Sequence, residues 1–227
     1  MTNSRQLAQQ WQYPRHSRFI SSMRKAATAW FEGKGFELHP KYKYCLADWK
    51  DWKNNIILDE VAKYIEDIQK QRLDKGNGFA LHDYVHHGLS SQAMLFNLIG
   101  PLIRRHDLGP LYEVLDQKNI EWSNSDSHPI LEYEDRKVFN EDSGQPTSID
   151  LVVGNPDKEG ALFIECKFTE NGFGGCSVFA QGDCAGQNPA ENHKECYLHH
   201  IGRLYWKRLT NSPMPPWRVM PIRPRAG

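Results

Sequence analysis

The chain has 227 residues, of which 39% are hydrophobic, 11% aromatic and 25% charged, the make-up of a folded domain and not of a disordered or low-complexity polymer. Its formal net charge is zero, with 28 basic against 28 acidic residues, which by itself points to no polyanionic partner. No apolar run approaches the roughly 18 residues of a membrane span, the opening MTNSRQLAQQWQYPRH lacks an apolar signal core, and five cysteines without paired spacing argue against a disulfide framework; no membrane partner and a cytoplasmic setting are expected.

Phe19 to Phe31 is predicted as a helix that stops at Gly33 or Gly35. A second helix is predicted from an N-cap at Asn54 or Asn55. Leu58, Val61, Ala62, Ile65 and Ile68 recur at helical spacing, Asp59 and Glu60 suit the positive end of a helix dipole, and Gly76 closes it. In LHDYVHHGLSS, His82 and His86 stand i, i+4, but no Glu follows His82 as a zinc-protease motif requires, so the segment reads as a loop. That loop leads to Ser90 or Ser91, the expected cap of a third helix carrying Ala93, Met94, Phe96, Leu98 and Ile99 toward Arg104 and Arg105. Gln92 then stands at the helix start, where backbone N–H groups can hold a phosphate, and is a candidate nucleic-acid contact. The segment HDLGP breaks the chain before a short helix near Leu111 to Leu115. A strand is predicted over Ile130 to Val138, with Glu132 and Glu134 on one face because they are two apart.

Next comes SIDLVVGNPDKEGALFIECKF, in which the apolar runs Leu151-Val152-Val153 and Ala161-Leu162-Phe163-Ile164 flank the turn-forming GNPDKEG. This is the pattern of a β-hairpin. Folded about a centre between Asp157 and Lys158, it puts Asp150 opposite Glu165, roughly 5 Å apart. Glu165 and Lys167 share a face by alternation, and Ile164 and Cys166 take the other, toward the core. Two carboxylates that close repel unless a cation sits between them, so the pair is a natural ligand set for a hard divalent ion. The lysine lies where it could orient or deprotonate a water or stabilise developing negative charge.

An acid at the head of one strand followed by Glu-x-Lys in the next resembles the PD-(D/E)XK nuclease superfamily, the restriction-endonuclease-like fold. The runs ECKFTENGFGGC and SSQAMLFNL are similar to a group of bacterial restriction endonucleases, over about Ser90 to Trp206. The resemblance implies an α/β fold with a central mixed sheet flanked by helices, in which Asp150 and Glu165 bind the metal and Lys167 is the catalytic lysine. The literal Pro-Asp pair, Pro156-Asp157, lies in the turn and is excluded as the metal-binding acid. Nucleases of this kind often add a third acid from an element before the hairpin, and Glu132 is favoured over Glu134 for that place. The expected organisation is a helical region over 1–80, the nuclease-like core over 81–212 and a Pro-rich basic tail over 213–227.

After Glu195 there is no acidic residue, while Arg203, Lys207, Arg208, Arg218, Arg223 and Arg225 follow, interleaved with aromatic side chains. Such a segment suits a phosphate-tracking surface, and Arg203, Lys207 and Arg208 are the candidate nucleic-acid contacts, with Arg203 and Lys207 at helical i, i+4 spacing. Cys176, Cys184 and Cys196, with His193, His199 and His200 nearby, could hold a structural zinc or an iron–sulfur cluster, though no C-x2-C pair is present. The expected activity is a Mg²⁺-dependent endodeoxyribonuclease of restriction or defence type acting on DNA, with Mn²⁺ able to substitute and a homodimer suited to double-strand cuts. Two alternatives stay open: a catalytically inactive or shortened nucleic-acid-binding protein of the same fold, and a zinc-organised interaction domain.

Overall fold

The computed structural model describes residues 16–76, 78–79, 81–120, 129–141, 146–154, 161–170 and 197–205. They belong to two compact units. The first comprises Met1–Glu134 with Ser148–Gly174, and the second Asp135–Thr147 with Gly175–Gly227.

The first unit opens with helix α1 (Ser17–Gly33), which buries Phe31 and ends before Gly35, at φ 71°, where the chain turns back with a hydrogen bond from the Gly35 N–H to the Glu32 carbonyl. A 3₁₀ turn (Trp49–Asn55) follows, begun by the Asp48 carboxylate accepting from the Lys50 N–H at 2.9 Å. The cap expected at Asn54 or Asn55 is displaced: helix α2 (Asp59–Asp74) begins after Leu58, without a side-chain cap. Asn55 is buried and has another task, its amide donating to the Val85 and His87 carbonyls at 2.8 and 2.7 Å. Helix α3 (Ser91–Arg104) does begin at Ser90, whose hydroxyl accepts from the Ala93 N–H at 3.2 Å. Its buried stripe is Ala93, Leu95, Phe96, Gly100 and Ile103, while Leu98 is 61% exposed. Helix α4 (Gly109–Gln117) follows the break at His106.

Three strands form an antiparallel sheet in the order β1 (Pro129–Glu134), β2 (Ser148–Val153), β3 (Leu162–Ile164). The fold is thus mixed helix and sheet. Among the described residues every strand pair is antiparallel, so the parallel pairing that a mixed sheet needs is absent from them. Strand β1 ends four residues before the expected Val138, because the Asp135 carboxylate accepts from the Lys137 and Val138 N–H groups and starts the short helix α5 (Arg136–Phe139) of the second unit. Leu151, Val152 and Val153 are fully buried, which explains why β2 is an unbroken apolar run and not an alternating one.

The core joins both ends of the first unit. Val61 and Ile65 of α2 cluster with Phe96 of α3 and Leu131 and Leu151 of the sheet. The second unit is tied by Asn140, whose Nδ2 donates to the Gly202 carbonyl at 2.9 Å, and by Glu141, which accepts from the Thr147 N–H at 2.8 Å and pairs with the Tyr205 hydroxyl.

Candidate active site

The β2–β3 register pairs Leu151 with Ile164, Val152 with Phe163 and Val153 with Leu162. One step outward, the same register sets Asp150 against Glu165, just past the end of β3. On the other side β1 and β2 pair Leu131 with Leu151 and Tyr133 with Ile149, which sets Glu132 against Asp150. Glu132 of β1, Asp150 of β2 and Glu165, just past β3, therefore occupy a row of neighbouring positions at this end of the sheet. Ile164 and Cys166 pack toward the core, whereas Glu165 and Lys167 are exposed on the opposite face.

Glu132 is the most constrained member. It is only 2% exposed and has φ 50°, a backbone region that non-glycine residues seldom occupy inside a strand. Arg72 of α2 holds this distorted backbone, donating Nη1 to the Leu131 carbonyl at 2.5 Å and Nη2 to the Glu132 carbonyl at 2.8 Å. The carboxylate itself accepts from Gln92 Nε2 and from Ser148 Oγ, each at 2.8 Å. Burial pushes its pKa up, against the two hydrogen bonds, and the Asp150 charge adds to the rise.

Asp150 is half-buried, and its Oδ2 accepts from the Cys166 N–H at 2.6 Å. Its pKa is also raised, by burial first, with the Glu165 charge adding while the Cys166 N–H and Lys167 oppose. Lys167 Nζ lies 2.6 Å from Glu165 Oε1, with the side chains 33% and 42% exposed. Burial pulls the ammonium pKa down, but Glu165 outweighs it and the net shift is upward, which keeps Lys167 a cation at neutral pH.

Helix α3 braces the row from behind. Gln92 accepts from the His82 N–H at 2.9 Å while donating to Glu132, and Ser91 donates to Glu170. Glu170 in turn accepts from the Phe168 and Thr169 N–H groups at 2.6 and 2.9 Å, locking the segment that follows Lys167. Gln92, expected to offer a phosphate contact, is 2% exposed and faces a carboxylate. Sequence reasoning missed this, and it missed Ser148 and Arg72. Nothing in spacing marks a glutamine at a helix start as the partner of an acid 40 residues on.

The described residues bring Asp150, Glu165, Lys167 and Glu132 to one region of the first unit. Arg203 belongs to the second unit. It follows Gly202, at φ 85°, outside helix α6 (Tyr197–His200), and donates Nη1 to the Asn140 carbonyl at 2.6 Å. Lys207, Arg208, Cys176, Cys184, Cys196, His193, Asp157 and the tail over 213–227 lie outside the described residues. A cavity of about 660 Å³ lined by Tyr64, Arg104 and Tyr112 contains none of the candidate residues.

Among the described residues no three His, Cys, Asp or Glu side chains converge as a ready-made metal cage. The donor chemistry nevertheless fits a hard divalent cation. Asp150 and Glu165 offer only oxygen, and the Glu165 charge adds to the rise that burial gives the Asp150 pKa. Mg²⁺ commonly uses one or two protein carboxylates and leaves its other positions to water and phosphate.

Fold and site together are those of a mixed helix-and-sheet protein with a carboxylate–lysine row. The family model described as restriction endonuclease associating with ARP matches residues 24–218, and the chain belongs to that family. No curated protein and no solved structure matches it. No helix among the described residues is long and apolar enough to cross a membrane.

Proposed function

We propose that the protein is a Mg²⁺-dependent endonuclease that hydrolyses phosphodiester bonds in DNA, with Mn²⁺ able to substitute. The observation that carries this reading is the register that sets Asp150 against Glu165 with Lys167 two residues further on the same face. Asp150 and Glu165 are the residues that would hold the ion. A bound divalent ion supplies Lewis acidity toward a phosphate oxygen and lowers the pKa of water.

The chain's own groups do the rest. Lys167, protonated and tethered to Glu165, donates hydrogen bonds to the attacking water or to the phosphoryl oxygens as charge develops there. Cys166 holds Asp150 in place through its backbone N–H, and its thiol stays protonated, with a pKa pushed up to about 11 chiefly by burial. Glu132 completes the row behind Asp150 as the third acid. Arg203, Lys207 and Arg208 contact phosphates of the bound strand, and the protein associates with ARP, as the family description states of its members.

Incubation of the purified protein with plasmid, linear and single-stranded DNA tests the reading. Cleavage with Mg²⁺ or Mn²⁺, none with EDTA, and none by the Lys167→Ala variant is the expected result. Cleavage that persists in EDTA would overturn the metal dependence. Binding without cleavage under every condition would leave a non-catalytic nucleic-acid-binding protein.

A further inference from the structure

The segment bearing Glu165 and Lys167 runs on into the wall of a cavity of about 390 Å³, a volume typical of small-ligand sites. Thr169 and Glu170 line it, two and three residues past Lys167. His82 lines it too, and its N–H donates to Gln92 Oε1 at 2.9 Å, on the side chain that donates to Glu132 of the acid row at 2.8 Å. Cavity and row are therefore adjacent parts of one surface in the first unit.

The walls are stacking surfaces. Tyr84 is 67% exposed, with its ring centroid 4.9 Å from that of His87. Burial holds the His87 imidazole down at about 4, so at neutral pH it is an uncharged ring with one donor and one acceptor. Elsewhere on the wall the Arg24 guanidinium lies over the Tyr44 ring, 4.9 Å from its centroid. Aromatic rings and guanidinium planes are the groups on which proteins stack unpaired bases. Phosphate is a poor occupant. Glu170 stays ionised in the wall, because hydrogen bonds from Ser91 and from the backbone outweigh the effect of its burial, and its charge repels an anion.

We infer that this cavity binds a nucleobase, stacked against Tyr84 and against the Arg24 guanidinium that Tyr44 backs, beside the phosphate-cleaving row. The base comes either from the strand being cut or from a free nucleotide. Its placement beside a scissile phosphate rests on the nuclease reading, whereas base binding itself does not.

The test is equilibrium binding in Ca²⁺, with no turnover required. The probes are a single-stranded oligonucleotide carrying 2-aminopurine and, separately, free 2-aminopurine riboside. Wild-type protein should change the probe's fluorescence on binding. Tyr84→Ala and Tyr44→Ala should each weaken binding by about tenfold, the scale of one lost base stack, and Tyr84→Phe should restore it. Loss confined to the oligonucleotide assigns the base to the strand, and loss with the riboside as well assigns the pocket to free nucleotides. Unchanged affinity in both alanine variants, each with wild-type circular dichroism, would overturn the inference even if the protein cuts DNA. Tyr84-dependent binding by a protein that cuts nothing would uphold the pocket and sink the nuclease reading.

Discussion

Gln92 Nε2 donates to Glu132 Oε1 at 2.8 Å, joining the first turn of α3 to a carboxylate that is 98% hidden from solvent (2% exposed) on a strand 40 residues away. The bond compensates a buried charge that neighbouring Asp150 makes still less favourable. Gln92→Leu should therefore cost about 1–3 kcal/mol of stability at pH 7, the usual cost of a buried polar group left short of a partner. Urea denaturation measures it. A loss under about 0.3 kcal/mol would show that the bond is incidental.

Asp150 gives a pH prediction. Its carboxyl has a folded pKa above its unfolded value, so the folded state binds the extra proton, and stability falls as pH rises from the ordinary aspartate value near 3.8 through the raised pKa. Asp150→Asn keeps an oxygen for the Cys166 N–H and removes the charge. The variant should be more stable than wild type at pH 7, by up to about 1 kcal/mol, and indistinguishable at the acid end. Added Mg²⁺ should raise the melting temperature of wild type and not of the variant.

Lys167→Ala should lower turnover on DNA by about a hundredfold or more while DNA affinity changes little, since one ammonium acts on the reacting groups but is only one of many positive charges. Single-turnover kinetics alongside a binding titration separate the two. Unchanged turnover would remove the nuclease assignment from this row.

Asp157→Ala should leave stability within about 0.5 kcal/mol of wild type and cleavage unaltered. With Val153 paired to Leu162, Asp157 falls by sequence in the connection between the two strands, and the row is expected to work without it. Damage equal to that of Asp150→Ala would make the Pro-Asp pair the metal ligand after all.

Gly100 sets the approach of α3 to α2. A Cβ placed there would stand 2.4 Å from Val61 Cγ1, inside a fully buried contact. Gly100→Ala should cost about 1–3 kcal/mol despite its better helix propensity, because overpacking outweighs a backbone gain of roughly 1 kcal/mol. Thermal denaturation would show a lower midpoint, and a raised one would mean that the helices simply move apart.

The hairpin and its acids were readable from the chain because their determinants are local. Two apolar runs and a turn-forming segment fix a register, and a register fixes which side chains stand opposite. The cap at Ser90 and the breaks at Gly76 and His106 were readable for the same reason: each is a short-range backbone preference. Asn55 shows where that reasoning stops. Its side chain suits a helix cap as well as it suits the Val85 and His87 carbonyls, and only the packing of the 82–90 loop decides between them.

The same holds at the site. Sequence alone could place Glu132 and Glu134 on one face but could not rank them by environment. Tertiary structure decided that Glu132 is the buried one, set at positive φ, gripped through its backbone by Arg72 and through its carboxylate by Gln92 and Ser148. Alternation and spacing report direction along a single element. Burial, pKa and hydrogen-bond partnership depend on which other elements arrive there, and residues 72, 92, 132 and 148 meet only when the chain is folded.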